Sequence, residues 1–406
     1  LQDALAGYER VLERTRGKRA WREGPRRSAV HAEGPAPAEM HKEAVTALMK
    51  EVLWTPLTDI CPRIARMQEL RIVTQGALHA FPYDWAFPGE ETRLRHFPGL
   101  LLYCRHYRLG GSAPLPAVPA AWEVGYAGYD AIGHPRGEDP VCPIPMVAAE
   151  LALAQRLWPE GRALAPECLT DVGLPLRLAC LAGHGVTDPE LQALYDLAEG
   201  QAEPDRPSAM LLGHETLSAT DRLLGFNDAL GWEPVPSVVL LSACVVGRVS
   251  EDPDGDPLGV VTGFLLQGAR YVVGSLQPVD DYYMPLFVCL FQQGLKLELE
   301  PTEALSQAKR RLCSGDWYED TYEHVRAIYA ETIDAYRRRP EVDWGTLLGW
   351  SDTFSEIGVT ELKAGTDTDW GAWIDHAVTD LIERRAQLPV SDLAASIRGF
   401  GSGKMH

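Results

Sequence analysis

The stretch Ser237-Val-Val-Leu-Leu-Ser-Ala243 is apolar at every position but its serines and runs straight into Cys244. A short continuous apolar run suits a strand buried on both faces, because a strand with one wet face would alternate polar and apolar residues. Two more runs of the same kind flank it in sequence, Leu176 to Ala182 and Ala269 to Ser275, each bounded by polar or Gly punctuation and separated by helical or loop segments. Three such runs predict an α/β fold with a mainly parallel sheet flanked by helices.

Outward from this centre, helices are expected at Pro145 to Leu157, Pro257 to Leu266 (ended by Gly268), Tyr282 to Gln292 and Thr302 to Leu312. Short β runs are expected at Leu70 to Thr74, Leu100 to Tyr107 and Trp122 to Gly128. The first fifty residues read as a helical lead-in, Leu1 to Arg14 and Ala38 to Met49, around a Gly, Pro and Arg rich loop from Gly17 to Pro37. Glu199 to Pro207 reads as an acidic, proline-containing loop. The tail from residue 316 reads as a helical C-terminal extension, with helical stretches at Tyr322 to Arg338 and Trp370 to Arg385. The expected units are therefore 1–50, 51–160, 161–315 and 316–406, at a prior of roughly 150 residues per domain.

Of 406 residues, 46% are hydrophobic, enough to form cores, and 38 Lys plus Arg stand against 57 Asp plus Glu for a net charge of −19. A basic surface is what grips phosphate backbones and anionic lipid, so nucleic-acid and membrane-surface partners are not expected, whereas a basic partner or substrate is. No run approaches the roughly 18 apolar residues of a membrane span, and no basic, hydrophobic leader is read at Leu1 to Glu9. The eight cysteines are widely spaced with no C-x-x-C pair. That argues against a disulfide scaffold or structural zinc and for a reducing cytoplasmic setting.

Two of the central strands end in reactive residues. Leu176 to Ala182 leads into Gly183-His184-Gly185, and Ser237 to Ala243 leads into Cys244. Ligands of open parallel sheets bind at the carboxyl ends of strands, so both side chains are expected on the functional edge. An imidazole beside a thiol can take its proton during attack on a carbonyl. The tetrahedral oxyanion needs rigid donors, and the Gly185 and Cys244 main-chain amides are the natural pair. Singly, a loop histidine and a Cys after an apolar strand are more often inert. Together, with the histidine 60 residues upstream, their placement resembles the ~50-residue spacing of caspase-type enzymes, and a catalytic pair is expected.

The segment Val238-Val-Leu-Leu-Ser-Ala-Cys-Val-Val-Gly247, followed by Gly255-Asp-Pro-Leu-Gly and Val272-Val-Gly-Ser-Leu-Gln-Pro-Val-Asp-Asp281, resembles the CHAT group of caspase-like cysteine peptidases, relatives of separase and caspases. Thr74 to Tyr83 and Trp122 to Tyr129 are similar to the group's earlier motifs, so the resemblance covers about residues 45 to 315. It implies a caspase-hemoglobinase fold, a noncatalytic half (51–160), a catalytic half (161–315), and a His184/Cys244 dyad without a cofactor. It further implies a protein substrate, an activating protein partner, and a setting in bacterial defence or cell death. Two positions depart from the group's pattern: Gln277 replaces a usual tryptophan, and Cys180-Leu-Ala-Gly precedes His184.

Caspases select Asp and separase-like relatives select Arg before the cleaved bond. Asp280 and Asp281 follow the Ala269 to Ser275 strand and could supply carboxylates matching a guanidinium; Asp281 as a cap for the helix at Tyr282 is the alternative. Asp252-Pro-Asp-Gly-Asp256 resembles part of a calcium loop but has Gly263 where the twelfth-position Glu belongs, so no metal is expected. Leu1 to Arg14 reads either as the last helix of a tetratricopeptide-like array or as an isolated amphipathic helix. A catalytically silent scaffold that binds a partner peptide is the alternative function, and the intact His/Cys pair weighs against it.

Overall fold

The computed structural model describes residues 46–48, 50–74, 79, 83, 93–107, 115–117, 122–131, 144, 146–165, 175–187, 208–215, 220–249, 258–276, 279, 284–314, 326 and 397–402. The strands are β1 (Glu69–Val73), β2 (Arg93–Phe97), β3 (Val124–Gly128), β4 (Arg162–Ala163), β5 (Leu178–Ala182), β6 (His184–Thr187), β7 (Ser208–Glu215), β8 (Thr220–Leu224), β9 (Val238–Ser242), β10 (Tyr271–Ser275) and β11 (Ile397–Gly401). The helices are α1 (Thr55–Ile60), α2 (Leu100–His106), α3 (Met146–Leu157), α4 (Phe226–Leu230), α5 (Val260–Gln267), α6 (Met284–Lys296) and α7 (Pro301–Ser314).

Eight strands form one sheet in the order β1-β2-β11-β10-β9-β5-β3-β4. β4, β3, β5, β9 and β10 are mutually parallel, and β10 meets β11 antiparallel. β11, β2 and β1 are again parallel to one another. The sheet is thus two parallel blocks of opposite direction joined at one seam. The expected α/β architecture, a mainly parallel sheet flanked by helices, is the one found.

The continuous apolar runs are buried on both faces, as expected: every residue of β5, β9 and β10 is buried. Val238 and Leu240 face one way, onto α3, α6 and α7 with Phe287 and Phe291. Val239 and Leu241 face the other way, onto α5 with Phe264 and onto Trp232. Each fully buried phenylalanine contributes roughly 1.5–3 kcal/mol. α5 stops where the sequence reading ends it, at Gly268, whose φ of 121° lies in the left-handed region that favours glycine.

Three features differ from expectation. Leu100–His106 is a helix rather than a β run; a short apolar stretch carries no period of its own, and here the extended Gly99 before it starts a turn that buries Leu102 and His106. The tail ends in β11, an interior strand of the main sheet, whereas the sequence reading gave only helix beyond residue 316; the helical stretches expected there fall outside the described residues, apart from Arg326, which is helical. A three-stranded antiparallel sheet, β6-β7-β8, was not anticipated. It packs Met210, Leu212 and Leu224 against the main sheet and Val186, Ala209 and Leu211 against Tyr129. The helices expected in the lead-in lie outside the described residues except 46–48, which are helical.

Candidate active site

The carboxyl ends of β3, β5 and β9 stop level with one another. Gly128 pairs with Ala182, and Ala182 pairs with Ser242. Tyr129 N–H donates to the Ala182 carbonyl at 3.0 Å, and Gly183 N–H donates to the Ser242 carbonyl at 3.1 Å. Two residues past this aligned row, β5 delivers His184 and β9 delivers Cys244, both half-buried. The parallel register therefore places the two sequence-predicted side chains on neighbouring strand ends at one edge.

Gly185 meets the Cys244 main chain directly. A Cβ at 185 would overlap the Cys244 carbonyl oxygen and come within 3.0 Å of the Cys244 nitrogen. Any side chain is excluded there, which explains the glycine in chemical terms. Gly183 is equally confined, since a Cβ would run into the Leu211 carbonyl of β7. The His184 strand is thus wedged between the end of β9 and the small sheet, where His184 pairs with Leu211.

The backbone after Cys244 turns sharply. Val245 adopts φ 53°, a left-handed conformation that costs a β-branched residue on the order of 1–3 kcal/mol. Surrounding contacts hold it: Arg248 N–H donates to the Val245 carbonyl at 2.9 Å and Gly247 N–H donates to the Ser275 carbonyl at 2.7 Å. Arg248 Nε donates to the Leu276 carbonyl at 2.7 Å, and Ser208 Oγ donates to the Arg248 carbonyl at 3.1 Å. Strain of this kind concentrates at reactive turns that the surrounding fold over-determines.

The cysteines separate into distinct environments. None of Cys61, Cys104, Cys180, Cys244 and Cys289 is held in a disulfide. Burial pushes the Cys289 thiol up to about 12, and burial followed by the nearby Glu150 carboxylate pushes Cys180 upward as well. Neither can serve as a thiolate near neutral pH. Cys244 alone of these sits at the carboxyl edge of the central strands. No group of His, Cys, Asp and Glu suited to a metal occurs among the described residues. No helix among them is long and apolar enough to cross a membrane. Asp280 and Asp281 lie outside the described residues.

One contact to the sulfur has no counterpart in the sequence reading. Val279 N–H donates to Cys244 Sγ at 3.3 Å, and the thiol donates to the Val279 carbonyl at 3.7 Å. Both groups are main-chain, so residue type carries no signal of them.

Among solved structures, the Arg-specific cysteine proteinase gingipain R is similar, with 10% sequence identity and a TM-score of 0.35, over 66% of this chain and 63% of that one. This chain thus spans under two thirds of that protein's length. No curated protein matches. The CHAT domain family matches residues 43–344, roughly three quarters of the sequence, and the chain belongs to that family.

Proposed function

We propose that this chain is a cysteine endopeptidase that cuts a protein partner. In this reading Cys244 Sγ attacks the carbonyl carbon of the scissile amide, and His184 takes the thiol proton and returns it to the leaving amine. The Gly185 and Cys244 amides hold the oxyanion. Water then attacks the thioester with His184 again as base, which releases the acid and restores the thiol. The carrying observation is the register of β5 and β9, Ala182 opposite Ser242, together with Gly185 lying on the Cys244 main chain.

Family membership supports the wider reading: residues 51–160 as a noncatalytic half, 161–315 as the catalytic half, activation by a protein partner, and action in the cytoplasm within a bacterial defence or cell-death system. A basic residue before the cut is the preference proposed for the site, with Asp280 or Asp281 as its carboxylate. A net charge of −19 is compatible with a basic substrate.

The test is a peptide electrophile and mass spectrometry. Labelling confined to Cys244 and lost in His184→Ala supports the reading. Indiscriminate labelling of several cysteines, indifferent to His184, would replace it with the peptide-binding scaffold. Profiling a peptide library reads the specificity separately, and a clear choice of Asp or an aliphatic residue would discard the basic preference.

A further inference from the structure

The loop that follows β10 is stitched to the loop that carries Cys244. Ser275 accepts from Gly247 N–H at 2.7 Å, and Leu276 accepts from Arg248 Nε at 2.7 Å. Three residues further on, Val279 faces the sulfur with both main-chain groups, N–H at 3.3 Å and carbonyl at 3.7 Å. The Val279 side chain packs against the core beneath β3, β5, β9 and β10, so its peptide groups are held in place.

We propose that Val279 is a positioning residue whose main-chain N–H holds the Cys244 sulfur and favours its thiolate; this rests on the peptidase reading above. The two contacts pull in opposite directions. The carbonyl accepts the S–H and favours the neutral thiol, whereas the N–H donates to sulfur and strengthens as negative charge develops. The donor is the shorter contact, at 3.3 Å against 3.7 Å, and gains when the proton leaves for His184; the S–H bond to the carbonyl is lost and the oxygen then opposes the thiolate from the greater distance. The balance favours the thiolate. The same N–H keeps the sulfur from swinging away between turnovers.

The experiment measures alkylation of Cys244 by iodoacetamide against pH, read on the Cys244-containing peptide by mass spectrometry. Val279→Pro removes the donor and is expected to slow alkylation at pH 7 about tenfold by moving the profile to higher pH. Val279→Ala keeps the donor and is expected to hold the profile within about twofold. Because a proline there can also disturb the fold, a second measurement uses the unaltered full chain labelled with 15N-valine. The Val279 amide resonance, assigned by its loss in Val279→Ala, should titrate with the midpoint of Cys244 alkylation and should stop doing so in Cys244→Ala. A resonance indifferent to thiol ionisation, or Val279→Pro alkylating as fast as the unaltered chain, overturns the proposal. If Cys244 is selectively reactive and depends on His184 while either of these holds, the donor role alone falls; if its reactivity ignores His184, the peptidase reading falls as well.

Discussion

Gly185 and Cys244 touch through their main chains, so closely that a β-carbon on one would occupy the space of the other's carbonyl oxygen. The contact joins the strand that carries the candidate base to the strand that carries the candidate nucleophile. It leaves little freedom to adjust, because both partners are backbone: Gly185 is paired with Met210, and Cys244 follows directly on β9, whose Ser242 is paired with Ala182.

Gly185→Ala should therefore separate the two strand ends. Overpacking of this sort costs about 1–3 kcal/mol when neighbours can shift, and here the neighbour is a peptide group. The expected outcome is a fall in Tm of several degrees with loss of selective Cys244 labelling. Thermal unfolding and peptide mapping check both, and a variant that melts and labels like the natural chain would contradict the stated geometry.

Reactivity should divide the thiols by environment. Cys180 and Cys289 are buried, with the thiol of Cys289 pushed up to about 12, so iodoacetamide at pH 7.5 should leave both untouched in the native protein and modify both in guanidinium. Cys244 should react in the native protein. In the same preparation His184→Ala should reduce peptide cleavage by about 10²–10⁴-fold while leaving the melting curve near that of the natural chain. Cleavage unaffected by that substitution would remove His184 from the chemistry.

How far the sequence revealed all this follows from which interactions were local. β5, β9 and β10 could be read because burial on both faces demands unbroken apolar runs, and the chain supplies them at Leu178–Ala182, Val238–Ser242 and Tyr271–Ser275. β2, Arg-Leu-Arg-His-Phe, gave no such sign, since Arg95 and His96 are buried there by partners distant in sequence: Glu69 meets Arg95 at 2.8 Å, and Arg398 lies near His96. β11 carries a buried arginine among glycines, and the composition of a strand is not visible in it. The candidate site's two side chains, His184 and Cys244, could be named from residue type, whereas the Val279 peptide group beside the sulfur left no trace in the sequence.

Acid should loosen the fold through buried histidines. Burial first, then the Arg398 charge, lowers His79 to about 4; burial, then Arg105 and Arg270, lowers His106 to about 4; burial and Arg398 hold His96 well down too. In the unfolded chain each returns to about 6.5. Between these values the unfolded state binds more protons, so stability is full above pH 6.5 and declines as pH falls toward 4, by up to roughly 3 kcal/mol each for His79 and His106, with His96 acting in the same direction. Among the described residues neither ring nitrogen of His106 has a hydrogen-bond partner, so His106→Leu should remove its share. Denaturant melts at pH 7.5 and 5 should show the variant losing less stability than the natural chain, and an equal loss would assign the acid sensitivity elsewhere.

The last strand should prove indispensable to the sheet. β11 lies between β10 and β2 with all five residues buried, and its Arg398 sits over the Tyr83 ring at 5.4 Å and donates to the His79 carbonyl. Ending the chain before Ile397 would leave one edge of β10 unpaired and strip β2 of a neighbour, exposing unpaired strand edges of the kind that aggregate. Loss of cooperative unfolding, or a soluble yield far below that of the natural chain, is the expected outcome. Gly399→Ala is the gentler probe, because a β-carbon there would collide with the Tyr271 hydroxyl. It should lower stability by about 1–3 kcal/mol without touching any residue at the candidate site. A truncated chain that melts cooperatively at the natural temperature would show that β11 is dispensable and that the two parallel blocks stand without their seam.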